Sequence, residues 1–193
     1  ACSAGNYAVG LAYDLIRQDQ IDVAVACGTE AFSESAFAGF NRLNAMSPDV
    51  CRPFDRDRRG LLLGEGAGVL ILEAEEHARR RGAPLLARVL GYGLSCDAHH
   101  ITGPHPDGDG AAACMRNALA DARREPDQVG YVCCHGTGTQ QNDRIESKAI
   151  HKIFGARARS VPVSSIKALT GHMMGAASAV EAIACVLALR EGV

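Results

Sequence analysis

At 193 residues the chain is long enough to bury a sizeable core as one domain. Its 47% hydrophobic and 22% charged residues are ordinary for a globular protein, and a net charge of −2 leaves no electrostatic footprint for nucleic acid or an anionic membrane. No apolar run is long enough to span a bilayer and no signal-peptide pattern is present, so neither a nucleic-acid nor a membrane partner is expected.

In chain order, Ala4, Ala8, Leu11, Ala12, Leu15 and Ile16 form a stripe at helical spacing, predicting a helix from Cys2 to about Gln18. Ile21 to Cys27 is a short β-branched run closed by Gly28 and reads as a buried strand. Residues 32–59 are mixed and loop-rich, punctuated by Ser47-Pro48 and Arg52-Pro53. Gly68 to Glu73 then reads as strand, Glu73 to Arg81 as a helix stopped by Gly82, and Leu85 to Tyr92 as another strand. A Pro/Gly/Asp loop over 97–110 leads to a helix at 111–124, and a strand over 129–134 delivers His135. The spacing of Ile145, Ala149, Ile150 and Ile153 predicts a helix from Asp143 to Phe154, with Gly155 as its stop. Val161 to Val163 is a short strand, and His172 to Arg190 the final, alanine-rich helix. Strands alternating with helices predict an α/β layered fold.

Eight cysteines invite a disulfide reading, but Cys27, Cys133, Cys134 and Cys185 lie inside apolar runs, where cysteine acts as a small buried hydrophobe. No Cys-x-x-Cys pair supplies zinc-ligand spacing, and a reducing, cytoplasmic compartment is expected. His99, His100 and His105 near Cys96, Asp97, Asp107 and Asp109 match no metal pattern, so no metal is expected. The glycines of 64–68 lack the lysine and following Ser/Thr of a phosphate loop, and close backbone packing is the simpler reading.

Reactive residue types stand far apart in sequence. Cys2 opens Ala1-Cys2-Ser3-Ala4-Gly5 ahead of a helix, where backbone N–H groups favour a thiolate and small neighbours leave room for a thioester. His135 begins His135-Gly136-Thr137-Gly138-Thr139 after an apolar run, and Lys167 and His172 share Lys167-Ala168-Leu169-Thr170-Gly171-His172. Each has a bland alternative: a buried capping cysteine, a structural histidine at a turn, a surface lysine, a solvated helix-start histidine. Asp143 and Glu146 read equally as the N-cap and N3 of a capping box. Together the thiol and two imidazoles point to thiol-ester chemistry, a thiolate carrying an acyl group and imidazoles stabilising the charge that develops next.

These motifs resemble the β-ketoacyl synthase family, the condensing enzymes of fatty acid and polyketide synthesis. Arg52-Pro53-Phe54-Asp55, Gly64-Glu65-Gly66-Ala67-Gly68, residues 95–102, Asn142-Asp143 with Glu146, and the Cys2, His135 and Lys167/His172 motifs stand in the family's order. The resemblance implies a thiolase-like layered αβα fold, present in part. Residues 1–93 would be the end of the N-terminal half, carrying the nucleophile helix, and 94–193 a truncated C-terminal half. It implies a decarboxylative Claisen condensation of an acyl-enzyme with malonyl-[acyl-carrier protein]. Cys2 is then the nucleophile, and His135 and His172 stabilise the enolate. Lys167 supports the histidine network, Glu146 and Asp143 stand behind it, and Thr137 and Thr139 contact the phosphopantetheine arm. No cofactor of its own is implied, because the arm belongs to the carrier protein. The implied partners are acyl carrier protein and a second copy, as a homodimer.

Residues 142–150 resemble the discrete synthases of fatty acid synthesis more than modular polyketide domains. A polyketide ketosynthase and a non-catalytic partner subunit are the alternatives. Departures from the family are Arg59, Leu61 where an aromatic is usual, and Asn6-Tyr7. The chain opens without Met almost on the nucleophile, and a late Gly-Phe-Gly-Gly-type loop is absent. The expectation is an internal fragment, incompetent in condensation when expressed alone.

Overall fold

The computed structural model describes residues 1–193. In chain order its elements are α1 (Ala4–Arg17), β1 (Val23–Glu30), α2 (Glu34–Arg42), β2 (Gly66–Glu73), α3 (Glu75–Arg80), α4 (Asp109–Asp121), β3 (Val132–Cys133), α5 (Gln140–Phe154), β4 (Val163–Ser164), α6 (Lys167–Thr170) and α7 (Met174–Glu191). The chain divides into two compact units that interleave along the sequence. The first is Ala1–Phe37, Leu63–Val89 and Thr170–Val193; the second is Ala38–Leu62 and Leu90–Leu169.

In the first unit β1 and β2 pair antiparallel, with Val25 opposite Ile71, Cys27 opposite Val69 and Gly28 opposite Gly68. α1 and α7 pack on this ribbon and on each other. Alternation along the strands turns Ala24, Ala26 and Gly28 towards the helices and leaves Val25, Cys27, Val69 and Ile71 exposed. Cys27 is therefore an exposed thiol rather than a buried hydrophobe.

Gly28 lies inside β1, which runs on to Glu30 instead of stopping at Cys27. The physical reason is close approach: a Cβ on Gly28 would sit 2.6 Å from the Gly175 carbonyl, and one on Gly5 of α1 would sit 2.5 Å from the Ala179 nitrogen. Both glycines let backbone lie directly on α7, which meets them with Gly175, Ala176, Ser178 and Ala179. Met173, Ala176, Ala177 and Val180 form the local apolar cluster.

The second unit is built around the parallel pair β3–β4 and α5, with Cys134, Ile150, Phe154 and Val161 as its buried cluster and Met115, Val129 and Ile153 packed around it. Burial of Ile145, Ala149, Ile150 and Phe154 on one face of α5 follows the sequence spacing. The helix starts earlier than expected, however, because Thr139 and not Asp143 is the N-cap, its hydroxyl accepting from the Asn142 N–H. Asp143 is thereby freed for another task.

Two further expectations fail. Residues 85–92 pair with no strand, and Leu85, Leu86 and Val89 stay largely exposed, so an apolar run here is not a ladder. The segment read as loop after Phe32 holds α2, a short helix with no buried residue. The last helix begins at Met174, with the short α6 ahead of it. No helix is long and apolar enough to cross a membrane.

Candidate active site

The predicted site residues fall into two groups, one in each unit. In the first unit Cys2 precedes α1 by one turn residue, and Ser3 occupies the N-cap. The Asn6 N–H at this helix start is taken by the Ser178 hydroxyl of α7 at 2.9 Å. The same helix brings His172, just ahead of its N-terminus, so that the Cys2 sulfur and a His172 ring nitrogen lie within 4.8 Å. Cys2 is partly accessible, whereas His172 is only 1% exposed.

His172 is held from three sides within its unit. Its carbonyl accepts the Gly64 N–H at 3.1 Å, and Leu63 bridges to it in parallel register. Its Nδ1 lies 3.2 Å from the Met174 N–H, which donates to it. An N–H aimed at Nδ1 needs a lone pair there, so the neutral ring carries its proton on Nε2 and offers that N–H as a donor. Met174 holds a left-handed φ of 39° to make this contact, a strained conformation for a side chain with a Cβ. The next amide, Gly175 N–H, is capped by the Glu30 carboxylate at 2.8 Å.

In the second unit six predicted residues gather around the loop after β3. The Glu146 carboxylate accepts the His135 N–H at 2.6 Å and the Gly136 N–H at 2.8 Å, and Asn142 donates to it at 3.2 Å. Lys167, 1% exposed, donates from Nζ to the His135 carbonyl at 2.7 Å. Lysine and glutamate thus grip the two sides of one residue's backbone. Burial drives the Glu146 carboxyl above its ordinary range, outweighing the hydrogen bonds from Gly136 and His135 that lower it.

Asp143, also 1% exposed, accepts the Thr137 N–H at 3.1 Å and the Phe54 N–H at 2.7 Å. The Thr137 and Thr139 hydroxyls are 2.9 Å apart. Buried Cys51 donates to the Thr137 carbonyl at 3.3 Å, and burial pushes its thiol up.

Sequence reading missed two residues here. Ser165 donates to the Gly136 carbonyl at 2.8 Å and accepts the Lys167 N–H at 3.3 Å, tying the start of α6 to the histidine's loop. Its only signal is a hydroxyl two residues before a lysine. Arg58, in a loop with no periodicity to mark it, donates to carbonyls on the same loop. His105, Asp107 and Asp109 bring ligating atoms within 4.8 Å, but Lys152 lies 2.5 Å from Asp109 and Lys148 3.7 Å from Asp107, so ammonium groups already neutralise the carboxylates.

Residues 1–78 match the profile of the β-ketoacyl synthase N-terminal domain, and residues 86–193 that of its C-terminal domain. Similar proteins include nodulation protein E of Rhizobium leguminosarum bv. trifolii, 49% identical over 100% of this chain and 48% of that protein. The mitochondrial 3-oxoacyl-[acyl-carrier-protein] synthase of Arabidopsis thaliana is 45% identical over 100% of this chain and 44% of that protein. Among solved structures, the ishigamide ketosynthase/chain length factor superposes with a TM-score of 0.93 at 48% identity, covering 99% of this chain and 46% of that one. A type II polyketide acyl-carrier protein in complex with its ketosynthase, bound to the hexaketide, gives 0.95 at 38% identity over 98% and 48%. The chain spans about half the length of the curated relatives it matches.

Proposed function

Because the chain belongs to the β-ketoacyl synthase family, we propose that the protein carrying it is a condensing acyltransferase, a 3-oxoacyl-[acyl-carrier-protein] synthase of fatty acid synthesis. The observation that carries the reading is a buried His172 beside the Cys2 thiol, its Nδ1 facing the Met174 N–H so that Nε2 is left to carry the donor proton. The Cys2 thiolate attacks the acyl thioester of a carrier protein, forming acyl-Cys2 and releasing the phosphopantetheine thiol. Malonyl carrier protein follows and loses CO₂, and the electron pair left behind is held as an enolate. Neutral donors suit that oxygen because they stabilise charge only as it develops. His172 Nε2–H is one such donor and His135, fixed through its backbone by Lys167 and Glu146, is the other. The carbanion attacks acyl-Cys2, the thiolate leaves, and the product is a 3-oxoacyl chain two carbons longer. Thr137 and Thr139 hold the arm. The carrier protein is the partner, and the second subunit is a copy of the same chain or a chain length factor of the kind named in solved relatives.

The polyketide reading is favoured by one observation, the 48% identity to the ishigamide ketosynthase/chain length factor. It changes the acyl chain and leaves the chemistry intact. A non-catalytic partner has no use for Cys2, His135 and His172 together.

The test uses the full-length protein with His172→Ala and His135→Ala. Each loses malonyl decarboxylation by at least about 10²-fold, while transfer of the acyl group to Cys2 persists. Decarboxylation at the parental rate in either variant removes that histidine from the scheme.

A further inference from the structure

The arginine in the loop before Gly60 has no role in the chemistry above, yet its guanidinium donates to two carbonyls at the end of the second unit's site loop. Arg58 Nε donates to the Thr139 carbonyl at 3.1 Å, one terminal nitrogen to the Gln140 carbonyl at 3.0 Å, and the other to its own loop at Asp55, 2.9 Å away. Its side chain is 15% exposed and lies 3.6 Å from the buried Asp143 carboxylate, the group that holds the Thr137 N–H. The bracing is reciprocal: Gln140 Nε2 donates back to the Arg58 carbonyl at 2.6 Å, and the Gly60 N–H to the Gly138 carbonyl at 2.9 Å.

A planar guanidinium supplies these donors in one rigid fork, which a lysine cannot copy. We propose that Arg58 is a positioning residue for the carrier-bound substrate: it pre-orders the Thr137–Thr139 loop so that the arm meets a finished site. The inference rests on the reading that these threonines hold the arm. When the binding-competent loop is only fractionally populated, apparent affinity falls by that fraction, while the chemistry of the bound complex is unchanged. Loss of the fork therefore appears in KM before kcat.

The experiment measures steady-state condensation by the full-length protein with acyl and malonyl carrier protein. Arg58→Ala raises KM for both thioesters about tenfold, with kcat within about threefold, and millimolar guanidinium ion restores much of the loss. Arg58→Lys shows nearly the same rise, because the fork and not the charge is at work; a full rescue by lysine overturns the proposal in favour of simple neutralisation of Asp143. Thr139→Val serves as the reference. If it raises KM and Arg58→Ala does not, the inference fails while the threonine reading stands. If wild-type protein forms no acyl-Cys2, the function itself fails. Should Arg58→Ala not fold, Gln140→Ala removes the exposed reciprocal bond and raises KM about threefold; an unchanged KM there overturns the proposal.

Discussion

The Met174 amide that points at His172 Nδ1 occupies that nitrogen as an acceptor, which leaves Nε2 as the side of the ring that can donate. Glu146 is the complementary case, a carboxylate whose two oxygens are committed to backbone N–H groups yet whose burial favours the protonated form. Its folded pKa stands above the ordinary 4.5, so the folded state binds the proton more tightly than the unfolded one. The resulting stability is fully present below about pH 4.5 and is lost as pH rises through the higher folded value. Glu146→Gln cannot titrate, so although it is the less stable protein, the gap to wild type narrows as pH rises from about 4.5 towards neutrality. Urea unfolding across that range reads this directly, and a gap that stays constant or widens contradicts the assignment. The sequence displayed the reactive side chains themselves, but it could not show that Lys167 and Glu146 act on the backbone of His135 from opposite sides. That arrangement depends on where loops meet.

At the scale of elements, the packing of α7 decides more than its composition alone suggests. Gly28→Ala would place a methyl group 2.6 Å from the Gly175 carbonyl, backbone that cannot step aside. It destabilises by about 1–3 kcal/mol and lowers the thermal midpoint by at least about 2 °C. Gly39 on α2 is the control: nothing lies within 4 Å of its added Cβ, and Gly39→Ala stabilises by about 0.5–1 kcal/mol through helix propensity. Equal effects at the two sites would refute the close-approach account. α5 is legible because burial on one face leaves a repeating mark, and α7 because it is a long alanine-rich run without a breaker, buried on consecutive residues around its first turns. α2 is only nine residues long, in a stretch rich in loop residues, and Gly28 reads as a stop to β1 because the sequence does not show α7 lying on it.

For the molecule as a whole, the two family profiles and the superposition on ketosynthases place the chain in the thiolase-like α/β fold that its motif order implied. The interleaving of three segments into the first unit was not legible, since it depends on Thr170–Val193 returning to the nucleophile helix. The exposed row Val25, Ile71, Cys27 and Val69 is an apolar face of a two-stranded ribbon. Residues 1–193 expressed by themselves self-associate through it, and Val25→Lys with Ile71→Lys reduces the association seen by light scattering. If the double variant associates as strongly as wild type, this face is not the cause. The central claim, that the Cys2 thiol carries an acyl group for condensation, is tested most directly by mass mapping. The full-length protein is mixed with acyl-[acyl-carrier protein], digested, and its eight cysteines surveyed for the acyl mass. The account predicts acyl on Cys2, discharged by malonyl carrier protein as a 3-oxoacyl chain two carbons longer. Acyl found on the exposed Cys27 or Cys96 with Cys2 unmodified, or an acyl-Cys2 that malonyl carrier protein leaves intact, would contradict it.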